Sequence, residues 1–171
     1  MRGTKRRAGG APVGETRRKT LKPDAANLSP DTSPVLKGGM PQALGIRITS
    51  LKRRKIIGEM SIKPIHMNLN GRVNGGAIMA FADVLGAIGA SANRPPGYRG
   101  GTIESKTNFF SAGTGPVLTA VCVPLHIGRT TSVWQTTITN GDGSMVAMVT
   151  QTQISVPASR ATRGENEPSD E

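Results

Sequence analysis

Between Asn68 and Asp83 the chain reads Asn-Leu-Asn-Gly-Arg-Val-Asn-Gly-Gly-Ala-Ile-Met-Ala-Phe-Ala-Asp. A glycine pair, Gly75 and Gly76, stands at the start of an apolar stretch with helical composition. The first amides of a helix have no partner within the helix, so they can stabilise a developing oxyanion. Asp83 is the only ionisable residue from Val73 to Ala92. Placing a charge in an apolar segment without a partner costs several kcal/mol, so such a group is rarely retained for stability alone. An open amide and a lone carboxylate on one helix together point to acyl chemistry.

The elements that must hold these residues follow from the pattern around them. A short helical lead-in is expected at Met40 to Leu44. Strands are expected at Gly45 to Leu51 and Ile56 to Ile62, joined by the basic turn Lys52 to Lys55. Pro64 to Val73 reads as an irregular loop. Gly75 to about Ala92 reads as the one strong helix, apolar on nearly every face and therefore expected to be buried. Arg94-Pro95-Pro96-Gly97 should end it. Four runs rich in Thr, Val, Ile and Gln follow, at Gly101 to Ser111, Val117 to Ile127, Thr130 to Asn140 and Ser144 to Val156. Gly/Asn/Asp turns separate them. The order predicts an α+β domain, an antiparallel sheet wrapped around one central helix.

The chain of 171 residues is long enough for one domain with a real core. Aromatics make up 3%, so that core must be mainly aliphatic. The single Cys122 forms no internal disulfide, and His66 and His126 lie far apart, so no metal centre is expected. No run of apolar residues is expected to span a membrane, and no apolar segment follows the basic N-terminus as in a secretory signal. A cytoplasmic protein is the resulting expectation.

Net charge is +11, and its distribution is uneven. Residues 1–37 carry nine Lys/Arg against three Asp/Glu and almost no large apolar side chains, which predicts a disordered basic arm. Residues 158–171 carry two against four and read as a disordered acidic tail. The folded domain is expected at 38–157. RNA-binding aromatic signatures and a helix-turn-helix pattern are absent, so nucleic acid is not the expected partner. Phosphates of a nucleotide-bearing thioester suit the domain's excess charge equally well.

The sequence resembles the hotdog-fold acyl-CoA thioesterases, the group that includes the phenylacetate-pathway and 4-hydroxybenzoyl-CoA thioesterases. The resemblance covers roughly residues 40 to 156. It rests on the pattern Asn68, Asn74, Gly75, Gly76 and Asp83, on Thr107-Asn108-Phe109-Phe110-Ser111-Ala112, on His126-Ile127-Gly128-Arg129, and on Asp142-Gly143-Ser144-Met145-Val146-Ala147. It implies hydrolysis of an acyl-CoA thioester to a free acid and CoA, with CoA as part of the substrate and no separate cofactor. Asp83 takes the place of the family's general base or nucleophile. Gly75 takes that of the glycine whose N–H polarises the carbonyl, beside Gly76. Asn68 matches a residue that holds the thioester or the water, and Thr102 a hydroxyl that orients the water. His126 and Arg129 are candidates for contact with CoA. Asn74 stands where many members have His, and an amide cannot titrate near neutrality.

Gly75 and Asp83 should lie roughly 12 Å apart along the helix axis. One small carbonyl does not easily reach both. Two antiparallel helices across a twofold axis would bring one subunit's glycine amide to the other's Asp83, which predicts a site at a homodimer interface, with a homotetramer as a further possibility. Two rival functions share this fold. Hydration of enoyl thioesters is disfavoured because no His stands in or just before the helix. A non-catalytic acyl-CoA-binding protein remains the alternative.

Overall fold

A computed structural model describes Leu36 and residues 38–158. The arm at 1–37 and the tail at 158–171 fall outside it, apart from Leu36 and Ala158. Leu36 packs, half-buried, against the core, so the edge of the segment expected to lack structure contributes to the domain.

The elements run α1 (Gly39–Ala43), β1 (Ile46–Lys52), β2 (Lys55–Ser61), a 3-10 turn (Pro64–His66), α2 (Gly75–Asn93), β3 (Tyr98–Phe109), β4 (Val117–Ile127), β5 (Thr131–Asn140) and β6 (Met145–Pro157). Six strands form one antiparallel sheet in the order β1-β2-β4-β5-β6-β3. Helix α2 packs against β2, β3, β4, β5 and β6. Alternation along β5 is complete, with Ser132, Trp134, Thr136, Ile138 and Asn140 all on the buried face. Trp134, Phe81, Ile56, Met60, Leu85, Leu118 and Ile138 fill the space between helix and sheet.

Two glycines let α2 sit this close. A methyl group at Gly89 would stand 2.7 Å from the Trp134 ring, and one at Gly86 would overlap Gln151 Oε1. Both positions are helical, so the glycines serve approach rather than an unusual backbone angle.

Three expectations change. Helix α2, at 19 residues, is long and apolar enough to cross a bilayer by length and composition, contrary to the reading of the sequence. Here its apolar bulk is spent on the sheet: Ile78, Phe81, Ala82, Val84, Leu85, Ile88 and Ala90 are buried. Nor is the helix covered all round. Gly76 is exposed and Met79, expected in the core, is 39% exposed. One sheet covers one side of a helix, and among the described residues the five-residue α1 makes only a small contact with α2. Finally, β3 begins three residues before the expected strand because it pairs with β6 as far as Tyr98 opposite Pro157. It lies at the edge of the sheet, and none of its twelve residues is buried.

Candidate active site

Asp83 is half-buried, one turn N-terminal to Gly86. Its Oδ1 accepts two hydrogen bonds, from Thr102 Oγ1 at 2.8 Å and from Gln151 Nε2 at 2.8 Å. Gln153 Nε2 donates to Thr102 Oγ1, also at 2.8 Å. Gln151 and Gln153 are fully buried, on the helix-facing side of β6. No donor to the second carboxylate oxygen stands among the described residues. The carboxylate therefore has one oxygen fixed by neutral donors and one oxygen left to act.

Thr102 reaches Asp83 through a bulge. Cross-strand partners share a face, and Ser105 and Thr107 of β3 pair with Gln151 and Val149, both buried. Strict alternation from these residues would turn Thr102 to the opposite face. The register shift between Thr102 and Glu104 leaves Ile103 unpaired and restores Thr102 to the helix side, opposite Gln153.

The other end of the site is the start of α2. Asn74 is the N-cap, with φ −64° and ψ 137°, and its Oδ1 accepts the Gly76 N–H at 2.7 Å. Its own carbonyl accepts the N–H groups of Ala77 and Ile78. That leaves the Gly75 N–H with no acceptor among the described residues. The helix start is braced on both sides: Asn74 N–H donates to the His66 carbonyl at 2.7 Å, and Val73 N–H donates to the Gly113 carbonyl at 3.3 Å. Asn140 holds the Gly113 loop by donating to the Ala112 carbonyl and accepting from Thr114 N–H.

Gly75 opens on a cleft of about 290 Å³, lined by Asn68, Arg72, Val73, Ile78, Phe109 and their neighbours in the Ser111–Gly113 loop. The Phe109 ring lies over Gly75, 3.1 Å from where a Cβ would stand. Asn68 lines this cleft, yet its Oδ1 is occupied by the N–H groups of Asn70 and Arg72. It shapes the turn before the helix. Asp83 is not part of the cleft.

The predicted residues thus fall into three places. Thr102, expected to orient a water, donates to Asp83. Asn68, Asn74, Gly75 and Gly76 gather at the helix start, with Asn74 and Asn68 bound to backbone. His126 and Arg129 lie at the β4–β5 end, exposed, with β5 and β6 between their strand and β3. The His126 ring folds over its own turn, close to Gly128. The structure does not bring these two to Gly75 or Asp83. Sequence reasoning missed Gln151 and Gln153. Their signal was two amides at alternate positions of a strand, on the parity that continues the apolar face of Val149.

A sheet wrapped around one long helix with these groups on it defines a hotdog fold, and solved structures bear this out. A mutant of thioesterase PA1618 from Pseudomonas aeruginosa superposes with a TM-score of 0.69 at 25% identity, over 72% of this chain and 89% of that one. A hypothetical thioesterase protein from Streptococcus pneumoniae, solved with coenzyme A, gives 0.60 at 26% identity, over 66% and 86%. The PaaI protein of E. coli, from the phenylacetic acid degradation operon, shares the fold at 23% identity with a TM-score of 0.63, over 69% and 84%. Among curated relatives, the 1,4-dihydroxy-2-naphthoyl-CoA hydrolase of Listeria monocytogenes is 26% identical over 103 residues, which is 60% of this chain and 83% of that protein. The family described as the Thioesterase superfamily matches residues 70–147. Over that stretch the chain is similar to members of this superfamily.

Proposed function

We propose that the protein hydrolyses an acyl-CoA thioester to a free carboxylic acid and CoA. The observation that carries this reading is the pairing of two unspent groups on α2. Among the described residues the Gly75 N–H is the one first-turn amide without an acceptor, and Asp83 has one oxygen without a donor while the other is fixed. The amide stabilises negative charge as it develops on the thioester carbonyl oxygen. The carboxylate activates water or attacks the carbonyl carbon itself. The thiolate of CoA leaves.

Asn74 in place of His fits this scheme, because the position acts as the helix cap. A cap needs an acceptor for the Gly76 N–H, and an amide oxygen supplies it without titrating. The cleft of about 290 Å³ beside Gly75, floored by Val73, Ile78 and Phe109, suits a small apolar portion of the ester. His126 and Arg129 stay candidates for the nucleotide end of CoA only through the resemblance.

The two groups stand on one helix, eight residues apart, and the cleft at Gly75 does not include Asp83. A homodimer completes the site: one subunit's Gly75 faces the partner subunit's Asp83. The uncovered side of α2 and the long unpaired edge of β3, with Ile103 and Phe109 exposed, supply the surface for it.

Release of free thiol from a panel of acyl-CoA esters, native protein against D83A, tests the reading. Turnover by the native protein and loss of about a thousandfold or more in D83A is the expected result. Tight binding of CoA esters with no turnover of any would favour the non-catalytic binder. Equal rates in both proteins would remove Asp83 from the chemistry.

A further inference from the structure

We infer that Gln151, with Thr102 and Gln153, is a positioning device that selects which oxygen of Asp83 meets the substrate; this rests on the hydrolase reading above. An ionised carboxylate is acceptor-only, so the side-chain nitrogen of Gln151 must face it. The Gln151 oxygen then turns toward α2, into the space that Gly86 leaves by having no Cβ. That oxygen is buried and has no partner among the described residues, and the same holds for the Gln153 oxygen. An unpartnered buried acceptor carries a desolvation cost, and it is tolerated here at two adjacent inward positions of β6. In exchange, Gln151 donates directly to Asp83 Oδ1, and a chain of donors runs from Gln153 through Thr102 to the same oxygen.

The direction of that chain is fixed. Gln153 Nε2 donates to Thr102 Oγ1, so one lone pair of the hydroxyl is occupied. The single hydroxyl proton of Thr102 points to Asp83. It cannot donate to a water at the same time. Thr102 therefore acts through Asp83 instead of orienting the water, and Gln153 acts through Thr102. With Oδ1 held by two neutral donors, the carboxyl group cannot spin about its last bond, and Oδ2 is the oxygen presented. A reacting group held to one orientation avoids the loss that a misplacement of about 1 Å brings.

The test compares Q151L, T102V and T102S with the native chain for kcat and KM on its best thioester, together with crystal structures of Q151L and the native protein. Expected are a kcat lowered roughly ten- to a hundredfold in Q151L and T102V, a KM within about twofold of native, and near-native kcat in T102S, which keeps the hydroxyl. Asp83 should take a different rotamer in Q151L. A native kcat in Q151L, or an unmoved Asp83 carboxylate, overturns the inference. Should Q151L fail to fold, T102V on the exposed edge strand reads the same oxygen, and equal kcat for T102V and T102S overturns it. If the native protein turns over no thioester, the hydrolase reading falls, and the Asp83 rotamer in T102V against T102S decides the positioning role by itself.

Discussion

Asn74 Oδ1 takes the Gly76 N–H at 2.7 Å, and this bond divides the labour between two adjacent glycines. Gly76 becomes part of the cap. Of the two, only Gly75 has an amide without an acceptor among the described residues, beside a cleft that Phe109 also lines. Two residues that look equivalent in the sequence thereby differ in whether their amide is bound.

Removing that amide without removing the helix is possible. Proline is favoured at the first helical position, and Asn74 already has the extended backbone that a residue before proline prefers. G75P is expected to fold with an α2 of normal length while losing about a hundredfold or more in kcat. Circular dichroism and thiol-release kinetics check the two halves.

Mixing G75P with D83A then locates the site. If each site draws Gly75 from one chain and Asp83 from the other, a mixed dimer holds one intact site. Random exchange of subunits returns about a quarter of native activity. If both groups act within one chain, no mixture recovers activity. Sedimentation of the native protein should show a dimer or a multiple of it.

The cap itself is worth measuring. N74A removes the acceptor for Gly76 N–H and should lower stability by about 1 kcal/mol, while N74S should restore most of it. Urea denaturation gives both values. Since the loss also frees the Gly76 amide, N74A should blur the distinction between the two glycines and lower kcat more than N74S does.

Close packing of helix on sheet predicts a larger effect elsewhere. A Cβ at residue 89 would sit 2.7 to 2.9 Å from three atoms of the fully buried Trp134 ring. G89A should destabilise the fold by about 1–3 kcal/mol despite alanine's better helix propensity. Thermal denaturation followed by tryptophan fluorescence reads both the stability and the displaced ring.

His66 sets an acid limit on stability. Its ring is fully buried, and Nδ1 accepts the Lys63 N–H at 3.0 Å. Burial, and then the charge of Lys63, hold its pKa below the usual 6.5. An unfolded chain takes up this proton below about pH 6.5 while the folded chain resists, so the stability is complete above that value and is lost as pH falls through it. The melting temperature should drop between pH 7.5 and 5.5 in the native protein. H66Q, whose amide oxygen can accept the same N–H, should show a flatter profile.

Much of this was legible in the sequence. The glycine pair, the lone Asp83, the long apolar helix and the strand order are local patterns, and each follows from residue type and spacing. So does the end of α2 ahead of Pro95-Pro96. The cleft and the fixed carboxylate were not legible, because each depends on residues brought together from distant strands. Gln151 and Gln153 read as ordinary strand residues until β6 lies beneath Asp83.

Chain chemistry by itself therefore determined which groups could act: one carboxylate, one glycine start, one helix to carry both. Tertiary structure decided how each is held. A bulge at Ile103, set by pairing with β6, turns Thr102 inward, and a single sheet leaves one side of α2 only half-covered. Neither follows from local preference, since register and coverage are properties of strands that meet only in the folded state.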